Sequence, residues 1–161
     1  MAIRPREFRL LFLCTGNSAR SQMAEAILNH RSMGRFRAES AGSKPAARVN
    51  PLAIETLRQH GIEWKGHSPR TVDGLEREPW DFVITVCDKA KESCPIFPGQ
   101  PVLAHWGMPD PAEAVGDEAA RRAFRDAYVL IARRIDLLLA LPTERLERLA
   151  LEARVQAIGS S

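Results

Sequence analysis

"LLFLCTGNSARSQMAEAIL", residues 10–28, passes from an apolar run through a polar loop into a different periodicity. With Phe8 and Arg9 ahead of it, this apolar run predicts a buried strand at 8–13 ("FRLLFL"), bounded by turn-forming residues. Beyond the loop, Ala24, Ile27, Leu28 and Arg31 recur on spacings of three and four, which predicts a helix over 21–31. Cys14 and Arg20 stand at the join, with five residues between them. In parallel α/β sheets, ligands bind beyond the carboxyl ends of the strands, where loops lead into helices. Thr15, Gly16, Asn17, Ser18 and Ala19 are small enough for the backbone to curl and aim successive N–H groups at one spot. With the helix N-terminus, those donors make an anion nest. The Arg20 guanidinium adds a planar fork suited to the paired oxygens of a tetrahedral oxyanion. A thiol at the base of such a nest is stabilised as thiolate, so the Cys14 pKa is expected to fall from ~8.5 into the range of about 3.5–7.5. Ser21 is expected to donate a further hydrogen bond to the sulfur. The pattern makes Cys14 a candidate nucleophile aimed at a bound oxyanion.

Outward from this stretch, apolar runs predict further strands at 81–86 ("DFVITV") and 101–105 ("PVLAH"), with a weaker one at 36–40 ("FRAES"). Leu52, Ile54 and Leu57 predict a helix over 51–60 that Gly61 stops. Phe124, Ala127, Ile131, Ile135 and Leu138 form one apolar stripe, predicting a long helix over roughly 117–140. Strands alternating with helices imply an α/β fold: a three-layer arrangement with a four-stranded parallel sheet, helices on both faces and a flavodoxin-like strand order. Residues 1–161 are expected to form a single domain. After Pro142, "TERLERLALEARVQAIGSS" predicts a helical extension at about 142–158, capped by Thr143. Its apolar face of Leu146, Leu149, Ala153 and Ala157 is expected to pack on its own domain, the other reading being a subunit interface.

The 161 residues carry a net charge of +3 with 45% hydrophobic residues, the balance of a globular protein. Of the 23 basic residues 19 are arginine, but they are interspersed with acids and form no basic run, which argues against nucleic-acid binding. No apolar run approaches the ~20 residues of a membrane span. The start, "MAIRPREFRLLFLC", ends in the chemically loaded loop and not in a small-residue cleavage site, so it does not read as a signal peptide. Three cysteines are an odd number, which suits a reducing cytoplasm better than a disulfide scaffold. "CDKAKESC" has six residues between its thiols, outside the spacing of a common zinc knuckle, and no metal site is expected.

Displacing an oxygen from a tetrahedral oxyanion calls for an acid to protonate the leaving group. "HWGMPDPAEA" supplies Asp110 just after the last predicted strand, in a loop expected at the same edge of the sheet.

Taken together, "CTGNSARSQMAEA", "ESAG", "VNPLAIETL", "CDKAKESCP" and "HWGMPDPA" resemble the thioredoxin-coupled arsenate reductases built on the low-molecular-weight protein tyrosine phosphatase fold. The resemblance runs from Leu10 to about Leu138 and leaves the tail from Pro142 outside it. It implies that Cys14 is the nucleophile, Arg20 the oxyanion clamp, Asp110 the general acid and Asn17 a loop-shaping residue, with residues 15–21 binding the oxyanion. The related phosphatases carry Tyr after the Asp-Pro, whereas this chain has Ala112 and Glu113. Cys87 and Cys94 give the reductase reading its relay. Cys14 attacks arsenate, Cys87 attacks Cys14 and releases arsenite, and Cys94 attacks Cys87, leaving a redox-active Cys87–Cys94 disulfide for thioredoxin. The polar stretch between these two thiols is expected to be flexible.

Arsenate is then the substrate, phosphate and sulfate are its analogues, and no cofactor is bound. Glutathione with glutaredoxin is the rival reductant. The alternatives are a phosphatase, or a thiol-based oxyanion or arsenite binding protein without need of Asp110. Some family members bind potassium beside the loop. Here Asn17, Glu25 and Ser40 match that site, but Arg70 stands where an Asp would, so a guanidinium paired with Glu25 is expected in place of the cation. His30, His60 and His67 are expected at the surface or in packing roles, and His105 and Trp106 are expected to position the Asp110 loop.

Overall fold

The structure, a computed structural model, describes residues 6–159; residues 1–5 of the basic start and 160–161 lie outside the described residues. Four strands, β1 (Phe8–Cys14), β2 (Phe36–Gly42), β3 (Phe82–Thr85) and β4 (Val102–His105), form one sheet. All pairs are parallel and the order is β2-β1-β3-β4. The helices are α1 (Arg20–Arg31), α2 (Pro51–Gln59), α3 (Asp88–Glu92), α4 (Asp117–Leu139) and α5 (Thr143–Ile158), with short 3-10 turns at Leu75–Arg77 and Pro111–Glu113.

Leu10 to Cys14 are all buried although successive side chains point to opposite faces, so the central strand is covered on both sides. On one face α4 and α5 bring Leu138 and Leu149 towards Phe82, Ile84 and Val102. On the other, Leu13 meets Val72 and Ala90 of α3. The expected stripe of α4 is buried at every position from Phe124 to Leu138. Ala24, Ile27 and Leu28 of α1 are buried likewise, and Arg31 at its end pairs with Asp136 of α4 at 2.8 Å.

Two local expectations differ. The stretch 88–93 is not an irregular loop: it winds into α3, because Cys87 takes up the extended N-cap conformation and its sulfur accepts the Ala90 N–H at 3.4 Å. Thr143 does not cap α5 but is its first helical residue. Pro142, already fixed in extended backbone at φ −68° and ψ 153°, takes the cap position. Leu146 and Ala150 of α5 are buried, and Arg154 reaches Asp81 beside β3 at 3.1 Å.

Candidate active site

In the order β2-β1-β3-β4 the connections leave β1 in opposite directions, and the crevice beyond the carboxyl ends of β1 and β3 is the switch point where such sheets bind ligands. Cys14 is the last residue of β1 and Cys87 lies two residues beyond β3. Leu13 pairs with Thr85, and Val86 N–H donates to Leu13 O at 2.9 Å, so the register brings both thiols to that crevice.

The loop 15–19 turns its carbonyls outward. Thr15, Gly16 and Ser18 accept from the amides of Lys44, Ala46 and Asn50, each at 2.9 Å. Among the described residues, no backbone carbonyl outside helices and strands receives an N–H from residues 16–19, which leaves those donors for an anion. Asn17 makes the curl possible with φ 50°, a conformation that asparagine tolerates better than most residues. Fully buried, it donates from Nδ2 to Ser21 Oγ at 2.8 Å and Ser40 Oγ at 2.9 Å, while its Oδ1 accepts from Arg70 N–H at 3.1 Å. Ser21 Oγ thus serves as an acceptor for Asn17, and among the described residues its expected bond to the Cys14 sulfur is not formed. The end of β2 approaches so closely that a Cβ at Gly42 would collide with the Thr15 carbonyl, a physical reason for the glycine of "ESAG".

Cys14 and Cys87 form a coupled pair of thiols. A hydrogen bond from Cys14, reinforced by Thr15, the Ala90 N–H and the Arg20 charge, pulls Cys87 down to about 5 against the effect of burial. The Thr15 hydroxyl lies 3.2 Å from its sulfur. Cys14 moves the other way: its bond to Cys87 and its burial raise its pKa, although Arg20 and the Thr15 N–H oppose this. The expectation of a depressed Cys14 is thus corrected. Neighbouring thiols titrate as a pair, and the direction here is for Cys87 to ionise ahead of Cys14.

Arg20 is nearly buried and reaches across the mouth, donating to Met108 O at 2.9 Å with its other nitrogen 3.7 Å from Asp110 Oδ2. Asp110 accepts the Ala112 N–H at 3.0 Å and caps the 3-10 turn that follows. These groups line an open cavity of about 370 Å³ with Thr15, Gly16, Cys87 and Glu113. Among the described residues, no aromatic side chain lines it. The Asp110 loop is held by Arg134 of α4, which donates to Gly107 O at 3.1 Å. His105, expected to hold that loop, instead has its ring between Thr85 and Asp88.

Beneath the loop, Glu25 is buried and accepts from Ser40 Oγ at 3.1 Å. Its titratable neighbour is His67, with Nε2 at 3.2 Å from Oε1, and not the Arg70 of the expected ion pair. Arg70 pairs with Glu39 at 3.0 Å and donates to Ser40 O, because its backbone is already pinned by Asn17. Burial pushes the Glu25 carboxyl up, with His67, Ser40 and Arg70 opposing. His67, expected at the surface or in a packing role, has the second: it is part of the loop's support. Sequence reasoning does not find Gln22: wholly buried, it donates to Asn17 O and His67 O and accepts from Trp64. Periodicity gives no signal for it, because Gln22 shares a helix face with Glu25, Ala26 and Asn29, opposite the apolar stripe.

Cys94 is half-buried, with its pKa raised by burial, and it lines a small void of about 10 Å³ together with Cys14, Leu13 and Ala90. α3 stands between it and Cys87 in the chain.

A cysteine at the floor of an amide-lined loop, an arginine across its mouth and a carboxyl opposite define a phosphate-type pocket on a four-stranded parallel sheet. The family model of the low molecular weight phosphotyrosine protein phosphatases matches residues 9–157, and the chain belongs to that family. The match reaches into α5, so the tail is not outside it. Within the family, an arsenate reductase of Bacillus licheniformis is 38% identical over 115 residues, covering 71% of this chain and 82% of that protein. A solved arsenate reductase in the phosphate binding state superposes with a TM-score of 0.71 at 26% identity, over 83% of this chain and 97% of that one. A thioredoxin-dependent arsenate reductase of Corynebacterium glutamicum gives a TM-score of 0.58 at 26% identity, over 84% of this chain and 65% of that one.

Proposed function

We propose that this chain reduces arsenate to arsenite through Cys14, Cys87 and Cys94, drawing its electrons from thioredoxin. The observation that carries the reading is the second thiol: Cys87 sits against Cys14 and Thr15 at the pocket mouth. A hydrolytic phosphatase has no use for it. Arsenate enters between the loop amides and Arg20. The proton on Cys14 crosses to Cys87, and the Cys14 thiolate attacks arsenic while Asp110 protonates the departing oxygen as water. Cys87, having lost that proton to solvent at the open mouth, then attacks the Cys14 sulfur. The sulfur–arsenic electron pair stays with arsenic, which leaves as arsenite, and a Cys14–Cys87 disulfide remains. Cys94 attacks Cys87 in turn, Cys14 departs as thiolate, and the dithiol of thioredoxin reduces the Cys87–Cys94 disulfide. Such a cycle needs a reducing compartment, which supports a cytoplasmic setting, and it needs no bound cofactor or metal.

The test is arsenate-dependent oxidation of NADPH through thioredoxin reductase and thioredoxin. Turnover with thioredoxin and little hydrolysis of an aryl phosphate is the expected result. Aryl phosphate hydrolysis without arsenate reduction would establish the phosphatase reading. Stoichiometric oxyanion or arsenite binding without turnover would establish the binding protein.

A further inference from the structure

Cys94 lies seven positions after Cys87 in the chain, and α3 occupies most of that interval. At 1.5 Å per residue, a wound segment of this length holds its ends about 10 Å apart. A disulfide needs its Cα atoms within about 7 Å. The Cys87–Cys94 bond is therefore closed to the protein until α3 unwinds, and whatever holds α3 wound controls the order of the thiols.

His105 is positioned to do so. It is the last residue of β4, opposite Thr85 in the register, and its Nδ1 lies 2.7 Å from Thr85 Oγ1. Its Nε2 lies 3.0 Å from Oδ1 of Asp88, the first residue of α3. Because an ionised carboxylate only accepts, Nε2 carries the hydrogen; in the neutral ring, Nδ1 then accepts from the Thr85 hydroxyl. Space for this bridge comes from Gly107, where a Cβ would lie 2.7 Å from Nε2 and 3.4 Å from Asp88 Oδ1. Cys87 anchors the same turn twice, its carbonyl accepting the Lys91 N–H at 3.2 Å and its sulfur the Ala90 N–H at 3.4 Å, and the second of these depends on the sulfur's charge. Once Cys87 is bonded to Cys14 its negative charge is gone and this bond weakens. The bridge to His105 is then the side-chain tether left on the first turn, beside the Lys91–Cys87 backbone bond. With the Asp88 side chain 89% exposed it is a light tether, one that can open in every cycle.

We infer that His105 is a positioning residue of the thiol relay: by bridging Thr85 to Asp88 it keeps α3 wound, presents Cys87 to Cys14 and withholds it from Cys94 until the first disulfide has formed. The inference rests on the three-thiol reading of the site. Without the tether, Cys94 attacks an oxidised Cys87 sooner, and any disulfide oxidant closes Cys87–Cys94 before arsenate has been reduced.

The test uses the full chain in a Cys14→Ser background, where only Cys87 and Cys94 can pair. The reduced protein is mixed with oxidised dithiothreitol, and the Cys87–Cys94 disulfide is followed by peptide mapping. Amide exchange of residues 88–92 is measured in parallel. Removing one light tether is expected to raise both rates about threefold to tenfold in Asp88→Ala and in His105→Ala. Asp88→Asn, whose amide oxygen still accepts from Nε2, should stay near the parent. Asp88 is solvent-exposed, so its variants keep the experiment decisive should His105→Ala fail to fold. If the disulfide forms in Asp88→Ala at the parent rate with unchanged exchange, the tether is refuted and the relay stands. If it forms in neither protein, the relay reading falls and the tether with it.

Discussion

Replacing Cys14 by alanine should quench the reactivity of a different residue, Cys87. With its pKa near 5, Cys87 is thiolate over thiol by about 100 to 1 at pH 7, each pH unit being a factor of ten. The largest single cause of that value is the hydrogen bond from Cys14. Without it, burial acts against the support of Thr15, Ala90 and the Arg20 charge. Were Cys87 to return to the ordinary ~8.5, its thiolate fraction at pH 7 would fall to about 3%, roughly a thirtyfold loss. With the other donors still in place, a loss of at least about tenfold is expected. The assay is alkylation by iodoacetamide between pH 4 and pH 9, with Cys87 labelling read by peptide mass and thiolate absorbance followed alongside. Cys14→Ser keeps a hydroxyl donor and should hold the Cys87 midpoint low, which separates the hydrogen bond from any general loosening of the crevice. A Cys87 midpoint unchanged in Cys14→Ala would refute the paired titration. Labelling of Cys14 ahead of Cys87 in the unaltered protein would refute it equally.

Three further outcomes follow from the same geometry. Asp110→Asn keeps its hydrogen bond to Ala112 N–H but has no proton to give, so the arsenylation step should slow on the order of 10²–10⁴-fold while phosphate affinity changes little; rapid-quench kinetics with a phosphate competition assay checks both. Cys94→Ser should release one equivalent of arsenite per protein and stall as a Cys14–Cys87 disulfide; sustained turnover at the parent rate would mean that an external thiol resolves it. Glu25, raised by burial, should titrate above ordinary glutamates in a carboxyl carbon NMR titration. A carboxyl raised on folding binds its proton more tightly in the folded state, so its contribution to stability declines as pH rises from the unfolded Glu value, ~4.3, towards the folded one. Glu25→Gln, which still accepts from Ser40, should flatten that decline in a thermal melt series.

The elements are legible because their signals are local. The apolar run of β1, the four-residue rhythm of α4 and the small residues between Cys14 and Arg20 each report on neighbours within a turn or a pleat, and the structure has them where the periodicity puts them. The parallel sheet follows from the alternation of those elements, and Cys14, Arg20, Asp110 and the second thiol follow from their places at strand ends. What the chain cannot disclose by itself is who touches whom across long separations. Whether Cys14 or Cys87 ionises first depends on a contact between residues 73 positions apart, one that exists only because β1 and β3 lie side by side. Glu25 meets His67 and not Arg70 because Asn17 has already pinned the Arg70 backbone elsewhere. His105 bridges Thr85 and Asp88 because the β3–β4 register sets it opposite the one and beside the other. Charge and hydrogen-bond preferences fall off within a few ångströms, so the same residues can be read for what they are able to do, while only the packed structure decides which of them are close enough to do it together.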